Sequence, residues 1–296
     1  MSESLDTGII VDQFGKPVLG LTAGQISVGE FAGEEVLVFA DYFDPGFSIV
    51  KARVFDGFDP FSLGLKFLAH ISNENSAGYS GGRSLPLFDK VGSHHSAPRA
   101  QVAQISVDGK TLLYLGNGLT NIGRFDLETG EVISPLSGIQ GHRGEYFLQL
   151  QDGRILVAED YVKPAPELGL QNGRLGLYVV EGGDLVRESQ MDLPSSLLYG
   201  LSETTDGKVF LVAPEGSSLS DGVGIYELEN FNGESLNGVE LVKAYDGISS
   251  NARGLIPIEG LGGLEGFLFT TWNQSRKSPV LGQPSMLAYQ GIQEEV

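Results

Sequence analysis

Three arginines stand at one fixed distance from a tight-turn dipeptide: Arg99 is nine residues ahead of Asp108-Gly109, Arg143 nine ahead of Asp152-Gly153, and Arg253 nine ahead of Gly262-Gly263. A guanidinium is a planar fork of donors that holds a carboxylate, phosphate or sulfate through paired hydrogen bonds, so three at equivalent points could clamp one anion. His142 adjoins Arg143. A neighbouring cation lowers an imidazole's affinity for a proton and keeps it neutral near pH 7, as general acid/base work requires. Glu145, two residues beyond Arg143, could orient that histidine or hold a substrate hydroxyl. His94-His95 form a second histidine candidate in a Gly-Ser-His-His-Ser-Ala-Pro stretch. Asp41, Glu159 and Asp160 supply carboxylates and Gln101 and Asn251 supply amides. Tyr42, Tyr161, Tyr199 and Trp272 supply rings able to stack on a sugar or an apolar ligand face.

These residues fall at comparable places in a repeat. Strands are predicted over 99–107, 111–116, 121–127 and 131–135, with Asp108-Gly109 as a type I′ hairpin signal and Glu128-Thr129-Gly130 closing the third hairpin. The pattern returns over 145–150, 154–159, 174–180 and 185–192, and again over 199–203, 208–214, 223–229 and 239–245, with Asp206-Gly207 as a turn. A unit at 25–31, 36–42, 49–55 and 65–71 precedes them. A last one begins at Arg253 and continues through 267–272 and 285–290. Its missing fourth strand can come from Ile9–Phe14, which would close a circle and hide two edges. Units of about 45–55 residues match a β-propeller. The expectation is one all-β domain over 1–296 with five four-stranded blades. Residues 73–98, polar and glycine-rich, form either a long loop or a degenerate blade that would make six.

The stretch Ser106-Val107-Asp108-Gly109-Lys110-Thr111-Leu112-Leu113-Tyr114-Leu115, followed by Asp126-Leu127-Glu128-Thr129-Gly130, resembles the repeat of YVTN/NHL-type β-propellers. Ser-x-Asp-Gly-Lys-x-Leu-Tyr-Val and a strand ending Asp-x-x-Thr-Gly are that repeat's pattern; the match is good in one unit and partial in two more. The resemblance implies a fold, which hosts lactonases, lyases, lectins and scaffolds alike.

In a four-stranded meander, the blade-to-blade links and the loops between strands two and three lie at the same end. That end would gather the three arginines, His94, His95, His142, the carboxylates and the only tryptophan around a channel mouth. By strand alternation Gln101 and Glu145 should point with Arg99 and Arg143. Ala23 and Tyr199 stand where two units lack the arginine, an asymmetry that favours one central site over five peripheral ones. The expected function is binding of a small anionic or polyhydroxyl ligand by an enzyme doing acid/base hydrolysis or elimination. His142 or His95 would move the proton, with Glu145 and Tyr199 assisting. The alternatives are a non-catalytic lectin-like or protein-interaction propeller, or arginines that merely tie adjacent blades together.

Composition excludes several classes. There is no cysteine, hence no disulfide, thiolate metal site or cysteine nucleophile. A net charge of −19 opposes nucleic acid and anionic membrane as partners and suits a soluble monomer. No cofactor motif is present, and calcium has only scattered carboxylates to recommend it. The start lacks a basic and apolar leader, which points to a cytoplasmic protein; a trimmed start would hide an exported form.

Overall fold

The computed structural model describes residues 5–9, 23–41, 46–53, 64–73, 83–85, 100–116, 120–140, 143–160, 173–193, 200–214, 223–229, 231, 235–245, 252–261, 264–271 and 286–291. They are all-β. The first sheet runs β2 (Ala23–Phe31), β3 (Glu34–Asp41), β4 (Gly46–Arg53), β5 (Gly64–Asn73) and β6 (Arg83–Leu85). An eight-stranded sheet joins two meanders: β7 (Ala100–Ile105) to β10 (Val132–Ser137), through β8 (Thr111–Gly116) and β9 (Asn121–Asp126); and β11 (Arg143–Gln149) to β14 (Asp184–Asp192), through β12 (Ile155–Asp160) and β13 (Arg174–Glu181). The outer strands β10 and β14 meet at one parallel bridge, Ser137 with Asp184, while the end strands β7 and β11 also neighbour each other. The sheet therefore nearly closes on itself around an apolar wedge. A third sheet holds β15 (Gly200–Glu203), β16 (Val209–Pro214), β17 (Val223–Leu228) and β18 (Val239–Tyr245). A fourth sheet is β19 (Ala252–Leu261), β20 (Leu264–Thr271), β21 (Met286–Gly291) and β1 (Leu5–Ile9).

The first strands β2, β7, β11, β15 and β19 neighbour one another in that order, and β19 returns to β2. The arrangement is propeller-like. The closing strand lies upstream of the expected 9–14. Leu5 pairs with Tyr289 and Ile9 with Met286, so the apolar run that suggested a strand contributes only its first residue to the described pairing. Within 73–98, residues 83–85 add β6 parallel to β5; residues 74–82 and 86–98 lie outside the described residues.

Burial within a meander falls from the middle outward, and the sequence shows why. Ile155-Leu156-Val157-Ala158 in β12 is apolar on both faces and wholly buried, as a strand covered on two sides must be. The outer strand β14 is buried only at Leu185 and otherwise alternates between exposed and part-buried positions. The core spans three meanders, with Val102, Leu115, Phe147, Leu156, Leu177 and Leu211 in one cluster.

The Asp-Gly turns depart from type I′. That type needs positive φ at both central residues, yet Ala32 is the only described non-glycine residue with positive φ. At Asp108-Gly109 the Gly109 amide donates to the Ser106 carbonyl (2.8 Å), and the Ser106 amide donates to Thr111 (2.7 Å). This is a type I turn over Val107-Asp108, followed by Gly109 at φ 72° as a one-residue bulge. At Gly153 and Gly207 the glycine makes the same bond, to the Leu150 and Thr204 carbonyls, in a loop one residue shorter, closed by the Leu150 amide on Arg154 and the Thr204 amide on Lys208. The aspartate serves the turn rather than a left-handed backbone: Asp108 Oδ1 accepts the Ser106 hydroxyl and the Lys110 amide.

Adjacent first strands are tied by side chains. Gln104 donates from Nε2 to the Gln149 carbonyl (3.0 Å) and accepts the Gln149 amide on Oε1 (2.7 Å), while Gln149 Oε1 accepts the Val107 amide. Glu203 accepts the Gln151 amide (2.8 Å), and Gln151 Nε2 donates to the Thr204 carbonyl. The Ser27 hydroxyl donates to the Ala103 carbonyl (2.6 Å). Gln104→Ala strands two backbone groups of Gln149, and we expect a loss of about 1–3 kcal/mol in denaturant unfolding.

The turn carboxyls also set an acid limit. Hydrogen bonds from Ser106 lower the pKa of Asp108, from Arg154 that of Asp152, and from Thr204 that of Asp206. Each binds its proton less readily folded than unfolded. Their stabilisation is complete above the unfolded value of about 3.9 and disappears as pH falls through the lower folded values. Burial raises Glu203, which acts with the opposite sign. A D108N/D152N/D206N variant should lose stability less steeply than wild type below about pH 4, as read by thermal unfolding across acid pH.

Candidate functional site

The turn ends of neighbouring first strands lie together, since Ser27 meets Ala103, Gln104 meets Gln149, and Glu203 meets Gln151. The opposite ends, where the first strands begin, therefore also share one side. Arg143 is the first residue of β11 and pairs with Asp160, the last of β12. Arg253 is the second residue of β19 and pairs with Thr270. Asp41 ends β3, paired with Ala23 and Gly46. Gln101 and Glu145 lie in β7 and β11. Arg99, which directly precedes β7, lies outside the described residues, as do Tyr42, His94, His95, His142, Tyr161, Tyr199, Asn251 and Trp272.

Backbone bulges occupy this end. Ala100 pairs with Gly116 but Val102 with Leu115; Gly144 with Glu159 but Tyr146 with Ala158; Arg253 with Thr270 but Leu255 with Phe269. A similar shift separates Ala23 from Ile26. One extra residue thus enters four of the five first strands within three residues of the arginine position, at Gln101, Glu145, Gly254 and the pair Gly24-Gln25. Bulges bend a strand and re-aim side chains, and they gather beside functional sites. A signal for them was in the sequence: a glycine or alanine follows every arginine-equivalent position, at Gly24, Ala100, Gly144, Gly200 and Gly254. Glycine inside a strand often marks a bulge.

Glu159, the last residue of the expected strand 154–159, is buried. It lies within β12 with 2% exposure. Its Oε1 accepts a short hydrogen bond from the Tyr178 hydroxyl, and Arg187 Nη1 lies 3.7 Å from its Oε2, which is buried and accepts no hydrogen bond. Gly176 makes room for this group, because a Cβ there would come 2.7 Å from the Tyr178 ring and 3.0 Å from Glu159 Oε1. Burial first, and then the bond to Glu159, push the Tyr178 hydroxyl well above its ordinary pKa, so it remains a protonated donor. It also accepts the Gln140 amide at 3.2 Å. Sequence reasoning missed Tyr178 and Arg187. The Gly-x-Tyr of β13, repeated as Gly224-Ile225-Tyr226 in β17, was the available sign of an aromatic packed over a glycine.

Among the described residues no group of three or more His, Asp or Glu side chains could hold a metal ion. No known family's pattern matches the chain, and no curated relative does. Among solved structures, hydrazine synthase of Kuenenia stuttgartiensis is 14% identical with a TM-score of 0.45, over 96% of this chain and 74% of that one. A 6-phosphogluconolactonase-like protein of Bacteroides fragilis is 14% identical with a TM-score of 0.44, over 88% and 67%. A family AA12 carbohydrate-active enzyme of Trichoderma reesei is 13% identical with a TM-score of 0.45, and this chain spans 63% of its length. Likeness at this level transfers neither ligand nor reaction.

Removing the counter-charge of Glu159 tests the polar cluster. Arg187→Met leaves a buried carboxylate short of its cation and should cost on the order of 3 kcal/mol, measured by denaturant unfolding at neutral pH.

Proposed function

We propose that the chain is a five-bladed β-propeller whose arginine-bearing mouth binds one small anionic or polyhydroxyl ligand and catalyses hydrolysis or elimination by acid/base chemistry. The supporting observation is the cyclic order of the five first strands together with the place of the arginines in it: Arg143 begins β11, Arg253 lies at the start of β19, and Arg99 directly precedes β7. In a chain of net charge −19 such a cationic ring is a local exception that focuses an anion. In this reading the three arginines hold the ligand and stabilise charge that develops on its oxygen. His142 takes a proton from water, or from carbon in an elimination, and returns it to the leaving group. Glu145 and Tyr199 orient the ligand, and His94 or His95 is the alternative proton carrier.

Calorimetric titration with phosphate, citrate and glucose decides the ligand class. Phosphate or citrate should bind, and Arg143→Ala or Arg253→Ala should each weaken binding by about tenfold or more, the worth of a charge-assisted hydrogen bond. Binding of glucose alone would move the protein to the lectin-like class. Once a substrate is in hand, His142→Ala should abolish turnover and spare binding; unchanged turnover would remove His142 from the mechanism.

A further inference from the structure

The loop between β17 and β18 returns to its sheet through Ser235-Leu236-Asn237-Gly238. Two anchors hold this return. Leu236 is buried in the core, and its amide donates to the Ser189 hydroxyl oxygen of β14 at 3.1 Å. The Gly238 carbonyl accepts the Glu229 amide at 2.9 Å, where the ladder of β17 and β18 ends. Asn237 lies between the anchors, exposed, and its Oδ1 accepts the Ser235 hydroxyl at 3.1 Å. Among the described residues no acceptor takes the Gly238 amide.

Asparagine before glycine is the dipeptide most open to cyclisation, because glycine has no side chain to keep its amide nitrogen away from the asparagine side-chain carbonyl. A base takes the proton of the Gly238 amide, and the nitrogen attacks Cγ of Asn237. The N–Cγ bond forms, the Cγ–Nδ2 bond breaks, and Nδ2 leaves as ammonia, which leaves a cyclic imide. Water then opens the ring on either side of the nitrogen. Breaking the new N–Cγ bond gives aspartate. Breaking the original backbone bond gives isoaspartate, whose chain runs through Cβ and Cγ and is one carbon longer. Negative charge develops on Oδ1 during the attack, and the Ser235 hydroxyl already donates to that atom.

We propose that Asn237-Gly238 is a self-modifying site, at which the Ser235 hydroxyl promotes imide formation and the isoaspartyl product releases the loop from β14. The added carbon falls between the buried, Ser189-bound Leu236 and the Glu229-bound Gly238, so it displaces one anchor or the other. The new carboxylate also arises beside Glu229, whose Oε2 would lie 3.4 Å from a Cβ on Gly238, and like charges repel. A change at one exposed residue thereby reaches the contact between the third sheet and the eight-stranded sheet, whatever the mouth binds.

The test holds the full chain at mildly alkaline pH and physiological temperature and samples it over days by peptide mapping with mass detection. The Asn237 peptide should gain the mass that separates a carboxyl from an amide, and its product should be a substrate for an isoaspartate-specific methyltransferase. A synthetic peptide of residues 229–245 gives the unconstrained rate. If it converts fully while the folded chain keeps Asn237, the proposal fails. Ser235→Ala should slow conversion about 2- to 10-fold, the range of one hydrogen bond, against Asn117-Gly118 and Asn172-Gly173 as references in the same chain. An equal or faster rate overturns the part given to Ser235. Gly238→Ala should suppress conversion, its Cβ meeting only the Glu229 carboxylate at 3.4 Å or beyond. Hydrogen exchange reads the consequence. The Leu236 amide, protected in fresh protein, should exchange faster in converted chains and stay protected in aged Gly238→Ala; unchanged exchange after conversion overturns the release. Asn237→Asp carries the charge without the extra carbon and should loosen Leu236 less than ageing does. An equal effect would overturn the role of the longer backbone.

Discussion

A four-stranded meander leaves one side of its first strand without a backbone partner, and that open edge is the constraint on which the molecule depends. Free amides and carbonyls along a strand cost free energy when desolvated and invite foreign pairing. Here the neighbouring meander answers with side chains. The Gln104 amide group meets both backbone groups of Gln149 as another strand would, Glu203 accepts the amide of Gln151, and the Ser27 hydroxyl satisfies the carbonyl of Ala103. Units that share little or no backbone pairing are thereby locked in sequence, with apolar packing between their faces. These ties specify orientation, because a side-chain amide has one donor arm and one acceptor arm and fits only one register.

The described ties gather near the turns, and the other end of the first strands is built differently. There the ladder takes in an extra residue in four strands, and the arginines stand at or just before the strand starts. One end is tied across meanders by side chains, whereas the other carries the irregular ladder. Glu159 and Tyr178 lie between these regimes, a buried polar unit below the irregular end. A site placed on strand starts and short links, with its supports in the sheet, is held more closely than one on long loops.

Much of this was legible in the chain. Asp-Gly pairs at 108, 152 and 206 marked hairpins because each turn needs a glycine at positive φ with an oxygen-bearing side chain just before it. The turn type was not legible, because a type I turn with a bulge and a type I′ turn use the same two letters. The strand starts at 100 and 143 carried few signs of their bulges, since alternation of side chains is the default reading of any strand and only the small residue at each second position opposed it. The burial of Glu159 was not legible because its partners, Tyr178 and Arg187, come from strands 19 and 28 residues further on. Pairing at such separation is a property of the folded sheet. The closing strand at 5–9 was misplaced for a related reason: Leu5-Asp6-Thr7-Gly8-Ile9 has little apolar content of its own and is fixed by the edge of β21.

That closing pair has a mechanical consequence. Leu5 lies opposite Tyr289 and Ile9 opposite Met286, so the chain leading into β1 and the chain leaving β21 emerge at the same end of the ladder. Tension between them loads the hydrogen bonds one rung at a time, like a zip, rather than all together in shear. The seam that completes the circle is therefore loaded rung by rung under such a pull.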